Sequence, residues 1–203
     1  MAYDLPAKGR LIALEGARGL ELAAIARRLL RQLCSGPVQG GVSEWGASNI
    51  FAELRLGDSS IPGPSPRTLV LLYATDLVFR LRWEIRPALE EGQCVIAAPY
   101  VHSAIAFGKA AGLPRRWLVE LFRFAPKPHA CYRIKERKEP SASPGKPSDG
   151  YLEFCCAALS AGSPPWDPTV VRKKFIAYLD ALERRRACEK VSDKLLTATG
   201  SLR

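Results

Sequence analysis

Two apolar runs, each closing on a small residue or a turn and each followed by helical periodicity, constrain this chain more than any other feature. Arg10-Leu11-Ile12-Ala13-Leu14-Glu15 is uninterrupted in its centre and ends at Gly16, the pattern of a strand buried on both faces. Leu22, Ile25, Leu29 and Leu33 then recur at helical spacing, predicting a helix over about 20–33 that Gly36-Pro37 stops. Gln93 to Ala97 is the second apolar run, with β-branched Val95 and Ile96, and helices are predicted around 103–111 and 115–124. Ala130 to Ile134 is a third run, and a shorter strand is expected near 41–44. Strands alternating with helices in this way fold as a parallel sheet covered on both faces.

The remaining segments fit between these elements. Pro62-Gly63-Pro64-Ser65-Pro66 marks a loop, and the following pattern is helical to about Glu91, with Leu69, Leu72, Tyr73, Leu77, Leu81 and Ile85 on one side. Taken alone, 68–73 also suits a strand, and only the length of the pattern favours the helix. Pro87 is expected to kink that helix or to begin a separate turn. Residues 138–150 are too rich in Pro, Gly, Ser and charge to pack, and a mobile loop is expected there. A helix over 151–159 follows. Asp167-Pro168 then reads as an N-cap with proline at the first helical position. The last helix buries Val171, Phe175, Tyr178, Leu179 and Leu182 and is expected to fray beyond about Ser192.

A chain of 203 residues is long enough for one α/β domain with a real core and short for two. It has no apolar stretch of membrane-spanning length. The first nine residues resemble neither a signal peptide nor a transit peptide, so a cytoplasmic protein without membrane association is expected. Six cysteines show no C-x-x-C spacing and are read as reduced, small core residues. His102 has no Cys, Asp or Glu at ligand spacing, and His129 sits behind Pro128; neither is assigned a metal or a catalytic role. The net charge of +10, from 30 basic and 20 acidic residues, favours an anionic partner such as a nucleotide or nucleic acid, although each short basic cluster also suits a solvated helix face.

Five landmarks in order resemble the thymidylate kinase family. The strand from Gly9 to Gly16 ends in Glu-Gly, as the family's first strand does before its phosphate loop. Residues 43–48, Ser-Glu-Trp-Gly-Ala-Ser, stand where the family has Arg-Glu-Pro-Gly-Gly-Thr. Residues 71–76, Leu-Leu-Tyr-Ala-Thr-Asp, match its Leu-Leu-Phe-Ala-Ala-Asp helix. Residues 85–96 match the approach to its Asp-Arg-Tyr motif, and residues 100–107 match its Tyr-x-x-Ser-Ser-x-Ala-Tyr segment. The likeness covers about residues 9–185. It implies a three-layer α/β/α fold of the P-loop NTPase type with a mostly five-stranded parallel sheet. It also implies a single domain over 1–203, with its core at about 9–190 and a lid-equivalent flexible loop at 138–150.

The departures fall on the chemistry. The family loop G-x-x-x-x-G-K-[ST] corresponds to Gly16, Ala17, Arg18, Gly19, Leu20, Glu21, Leu22 and Ala23. Glu21 puts bulk and negative charge where a glycine admits the phosphates. Leu22 replaces the lysine that reaches them, and Ala23 replaces the hydroxyl that holds Mg²⁺. A charge-assisted hydrogen bond is worth about 1.5–3 kcal/mol, so the lysine alone accounts for roughly tenfold to a hundredfold in nucleotide binding. Ala98-Pro99 stands for Asp-Arg, Leu77 for the arginine that grips the monophosphate, and Gly108 for the glutamine that reads thymine. Basic and apolar residues from Tyr132 to Lys135 stand for the usual aspartate before the lid. Retained are Glu44, Tyr73, Asp76, Tyr100, Ser103 and Phe107, of which Tyr73 and Phe107 suit either base stacking or an ordinary core. Arg18 suits a local ion pair with Glu21.

Losses concentrated on charged catalytic positions, with apolar fold positions kept, imply a pseudoenzyme: a scaffold, regulatory or partner-binding module with no catalytic residue, metal or cofactor. Its expected partner is a second copy or a kinase homologue, since the family dimerises through helices of this type. The alternative is an atypical dTMP or nucleoside monophosphate kinase using Mg-ATP and displaced basic residues such as Arg18, or Lys135, Arg137, Lys138 and Lys146 around the lid. A third reading is a nucleotide- or nucleic-acid-binding module.

Overall fold

Strand β1 (Arg10–Glu15) lies between β3 (Cys94–Ala98) and β4 (Ala130–Arg133), and β2 (Gly40–Glu44) pairs with the far side of β3, giving the order β2-β3-β1-β4. All three pairings are parallel. In this computed structural model residues 9–33, 39–51, 63–135, 150–160 and 166–199 are described, without the side chains of Leu20, Ser160 and 185–199. Among the described residues the sheet has four strands, one fewer than the expected five. They are the four runs legible in the sequence, and the segment 161–165, just before the last helix, lies outside the described residues.

Alternation along β1 divides the core. Leu11 and Ala13 face one layer with Val95 and Ala97, while Ile12 and Leu14 face the other with Ile96 and Ala98. Helix α1 (Gly19–Leu33) covers the second layer through Leu22 and Ala26. The first layer is closed by several helices. Among them are α2 (Pro66–Arg80), α4 (Val101–Ala110), α6 (Tyr151–Ser160) and α7 (Pro168–Thr199).

Local chemistry sets the helix ends. Ser65 caps α2, its Oγ accepting from the Thr68 amide at 3.1 Å, with Pro66 at the first helical position. Downstream, the helix widens into a π turn over Leu81–Ile85 before α3 (Arg86–Glu90). Pro87 lacks the N–H that an α-helix would direct at the preceding turn; it stands in the first turn of the separate α3, the second of the two outcomes expected for it, and the π turn absorbs the mismatch. Helix α4 begins two residues earlier than its pattern suggested, and α5 (Arg115–Leu121) ends earlier. Asp167 caps α7, its Oδ1 accepting from the Thr169 amide at 2.8 Å. The α7 backbone is helical to Thr199, past the Ser192 where fraying was expected to begin.

Candidate functional site

In parallel α/β sheets, ligands bind beyond the carboxyl ends of the strands. Here those ends bring together Glu15-Gly16 from β1, Ser43-Glu44 from β2 and Pro99-Tyr100 after β3. Glu15, Ser43, Glu44, Tyr100 and Ser103 at this edge are engaged within the protein.

Helix α1 opens at Gly19, within the altered segment 16–23, so Glu21, Leu22 and Ala23 lie on its first turns. Leu22, at the lysine position, is 3% exposed and packs beneath the sheet with Ile12, Leu14, Ala26 and Ile96. Ala23 next to it offers no hydroxyl. Arg18 and Glu21 are both half-buried, and among the described residues they do not form the ion pair the sequence suggested. Gly150 packs against this turn so tightly that a Cβ on it would lie 2.6 Å from the Gly19 amide nitrogen and would collide with Glu153 Oε2. The Glu153 carboxylate thus sits beside the start of α1, where the helix dipole favours negative charge. That is the place a phosphate takes in the resembling family.

Glu15 is 2% exposed and caps α4 from outside the helix. Its Oε2 accepts from the Ser103 hydroxyl at 2.6 Å, the Ser103 amide at 2.9 Å and the Tyr100 amide at 3.3 Å, and its Oε1 accepts from the His102 amide at 2.9 Å. One carboxylate therefore serves the orphan donors that any helix start presents. Ser103 is spent on this cap. The Tyr100 hydroxyl donates to the Pro126 carbonyl at 2.9 Å.

Asp76 is fully buried and shapes the turn after β2: its carboxylate accepts from the Gly46 and Ser48 amides, both at 3.0 Å, and from the Ser48 hydroxyl at 2.8 Å. One helical turn further, Arg80 is also fully buried. Its guanidinium donates to Ser43 Oγ at 2.9 Å, to the Ser43 carbonyl at 2.7 Å and twice to the Pro99 carbonyl at 3.1 Å. It clamps the ends of β2 and β3 together. Ser43 passes the contact outward, its hydroxyl donating to Glu84 at 2.6 Å. Glu44 pairs with Arg27 on α1 at 2.7 Å. Sequence reasoning missed Arg80, although a charged residue four positions after Asp76 on an otherwise apolar helix face was a visible signal.

The aromatic side of the site is closed as well. Tyr73 and Phe107 have no exposed surface, and the ring of Tyr151 lies 4.4 Å from Tyr73 and 5.7 Å from Phe107, centroid to centroid. Trp45 and Phe51 complete the contacts of Tyr151, at 5.8 and 6.2 Å. The Tyr73 hydroxyl donates to the carbonyls of Pro99 and Tyr100. Gly108, where the family has a base-reading glutamine, has no room for a side chain: a Cβ there would lie 2.5 Å from Leu118 Cδ2. Burial pushes the phenols of Tyr73, Tyr100 and Tyr151 and the thiol of Cys155 upward, and the Cys156 thiol is raised to about 11 for the same reason.

Tertiary contacts bring neighbours that sequence spacing does not show. His102, which has no ligand neighbour in sequence, stands beside Glu15 and Cys131 in space. Arg133 and Lys135, at the lid approach, are turned toward α7: Arg133 pairs with Asp180 and Lys135 lies 3.7 Å from Glu183. Arg137, Lys138 and Lys146 lie outside the described residues. His129, given no functional role, accepts at Nδ1 from the Leu11 amide at 3.0 Å and orders the start of β1. Cys94, Cys131, Cys155 and Cys156 form no disulfide among the described residues. The residues at the phosphate edge do not fit Mg-nucleotide: Ala23, Ala98 and buried Leu22 supply neither a metal ligand nor a phosphate cation. No helix among the described residues is long and apolar enough to cross a membrane.

Comparison with known proteins agrees with this architecture. No family model matches the chain. It is 33% identical over 127 residues to a probable thymidylate kinase of Pyrobaculum calidifontis, covering 58% of this chain and 60% of that protein. It is 34% identical over 133 residues to a thymidylate kinase of Xanthomonas oryzae pv. oryzae, covering 63% of this chain and 56% of that protein. The chain thus spans less than two thirds of the length of these curated relatives. The crystal structure of a thymidylate kinase from Ehrlichia chaffeensis shares the fold, with a TM-score of 0.54 and 16% identity over 63% of this chain and 71% of that one. With the parallel sheet and the strand ending in Glu15-Gly16, these relatives make the chain similar to thymidylate kinases over this part of its length, and the fold is that of a thymidylate kinase.

Proposed function

We propose that the protein is a catalytically impaired thymidylate-kinase-like scaffold that acts in the cytoplasm through protein partners, without a nucleotide cofactor. The observation that carries this reading is the Tyr151 ring packed against both Tyr73 and Phe107, the two aromatics that the resemblance offers for stacking a base. Leu22 buried beneath the sheet and Glu153 beside the start of α1 support it from the phosphate side. The polar residues that survive from the family pattern have structural employment: Asp76 holds a turn and Ser103 a helix cap. The partner is a second copy or a kinase homologue, and an apolar stripe suits it. Leu71, Val78, Phe79 and Trp83 are all more than a third exposed along the outer side of α2 and its π turn.

Calorimetric titration of the pure protein with Mg-ATP, with and without dTMP, tests the reading. No heat at millimolar nucleotide and no product above a no-enzyme control are expected. Micromolar ATP binding, or dTMP phosphorylation proportional to protein concentration, would overturn it in favour of an atypical kinase.

A further inference from the structure

We propose that Glu15, His102 and Cys131 form a zinc site with three protein ligands and one open position. The three come from different elements: the last residue of β1, the first turn of α4 and the second residue of β4. Parallel pairing aligns β1 and β4 with Ala13 opposite Cys131 and Glu15 opposite Arg133. Cys131 and Glu15 therefore project from the same face of the sheet, and small Ala13 beside Cys131 leaves room between them. The start of α4 lies over that face, and the Glu15 cap fixes its first turn there.

The distances suit a tetrahedral ion. One donor atom from each residue lies within 4.8 Å of the other two. His102 Nδ1 is 3.5 Å from Cys131 Sγ and 3.8 Å from Glu15 Oε1. Zinc bonds of about 2.3 Å to sulfur and about 2.0–2.1 Å to nitrogen or oxygen put tetrahedral ligand pairs roughly 3.3–3.6 Å apart. Small adjustments of side chains already in place would complete the geometry. Glu15 divides its labour suitably: Oε2 takes three of its hydrogen bonds and Oε1 one, so Oε1 keeps a lone pair for metal.

The donor set favours zinc over harder cations. A thiolate and an imidazole are poor ligands for Mg²⁺ or Ca²⁺ and good ones for Zn²⁺. On binding, the Cys131 thiol gives its proton to solvent, and thiolate plus carboxylate balance the charge of the ion. His102 is partly exposed, which provides an entry path and room for a water as fourth ligand. Such an ion would staple β1, β4 and α4 at the carboxyl edge of the sheet. That role is independent of whether any nucleotide binds.

Metal-free full-length protein is titrated with Zn²⁺ against a chromophoric chelator, and with Co²⁺ under an absorption spectrometer. One equivalent of Zn²⁺ bound at micromolar concentration is expected. Co²⁺ should give a thiolate-to-metal charge-transfer band and the strong visible bands of a tetrahedral site. Cys131→Ser and His102→Ala, checked for folding by circular dichroism, should each lose the charge-transfer band or the tetrahedral spectrum and weaken Zn²⁺ at least about 100-fold. Cys155→Ala should change neither. Absence of the thiolate band in the unaltered protein, or equal Zn²⁺ affinity in the Cys131 and His102 variants, overturns the site without appeal to any variant's stability.

Discussion

The ring of Tyr151 stands 4.4 Å from the ring of Tyr73, centroid to centroid, with the planes tilted by 51°. Helix α6 thereby delivers a buried ring into the centre of an aromatic group drawn from three other segments. The Tyr151 hydroxyl is buried with only the weak acceptor Cys155 one helical turn along, so its packing, more than its polarity, accounts for its place. Tyr151→Ala is expected to cost about 3–5 kcal/mol, as for other large-to-small changes at buried rings, and to leave an apolar cavity that binds a small aromatic such as indole. Urea unfolding and nuclear magnetic resonance titration check the two halves. Unchanged stability with no cavity would show that the ring does not fill the slot.

Arg80 supports the opposite wall. Its four hydrogen bonds to Ser43 and Pro99 are its means of tolerating full burial, since an ionised group without partners is costly there. Arg80→Met leaves the carbonyls of Ser43 and Pro99 short of donors. A loss of about 3–5 kcal/mol is expected, the range for breaking a buried charged network from one side. Arg80→Lys should recover little, because one ammonium cannot span Ser43 and Pro99 as the guanidinium fork does. Denaturant midpoints of the two variants decide this; a lysine variant as stable as the original would deny the fork its role.

The scaffold was more legible than the site for a physical reason. Strands β1 and β3 and the start of α7 are written locally, as apolar runs bounded by Gly or turns and as Asp167 before Pro168. The losses at Leu22, Ala23 and Gly108 were local too, since a missing charge or side chain is visible at its own position. What fills the resulting space was not. Tyr151 meets Tyr73, and His102 meets Glu15 and Cys131, only through tertiary folding, and His102 had no ligand neighbour in sequence. The π turn lay between these cases: Pro87 announced a disturbance, but the form it took over Leu81–Ile85 was not written in the local pattern.

Stability should fall in alkali earlier than carboxylate or lysine chemistry would require. Burial raises the native phenols of Tyr73, Tyr100 and Tyr151 above their ordinary 10.0, and the Cys155 and Cys156 thiols above 9.0, the latter to about 11. The unfolded chain therefore releases these protons first and binds fewer than the native state, which makes stability decline with rising pH. The contribution is complete below about pH 9 and is lost upward through 9–11 for Cys156 and from 10 onward for the tyrosines. Urea midpoints at pH 7, 9, 10 and 11 should be flat over the first step and fall over the others. Tyr73→Phe should soften the fall, and an unchanged slope in that variant would assign it to other groups.

Restoring the phosphate loop tests how far the fold has committed against the nucleotide. In a Glu21→Gly, Leu22→Lys, Ala23→Thr variant the lysine replaces a side chain 3% exposed among Ile12, Leu14, Ala26 and Ile96. Its ammonium must either be buried or pull the start of α1 away from the sheet, and the lost leucine alone costs about 2–5 kcal/mol. The position beside Gly19 also remains crowded by Gly150 and Glu153, and Ala98 and Pro99 remain where a carboxylate and an arginine would be needed. The variant should therefore unfold at lower urea and still give no heat with millimolar Mg-ATP. Adding Glu153→Gln removes the competing charge, so ATP binding that appears only in that fourfold variant would locate the block at Glu153. Binding already present in the triple variant would place it in the loop residues themselves.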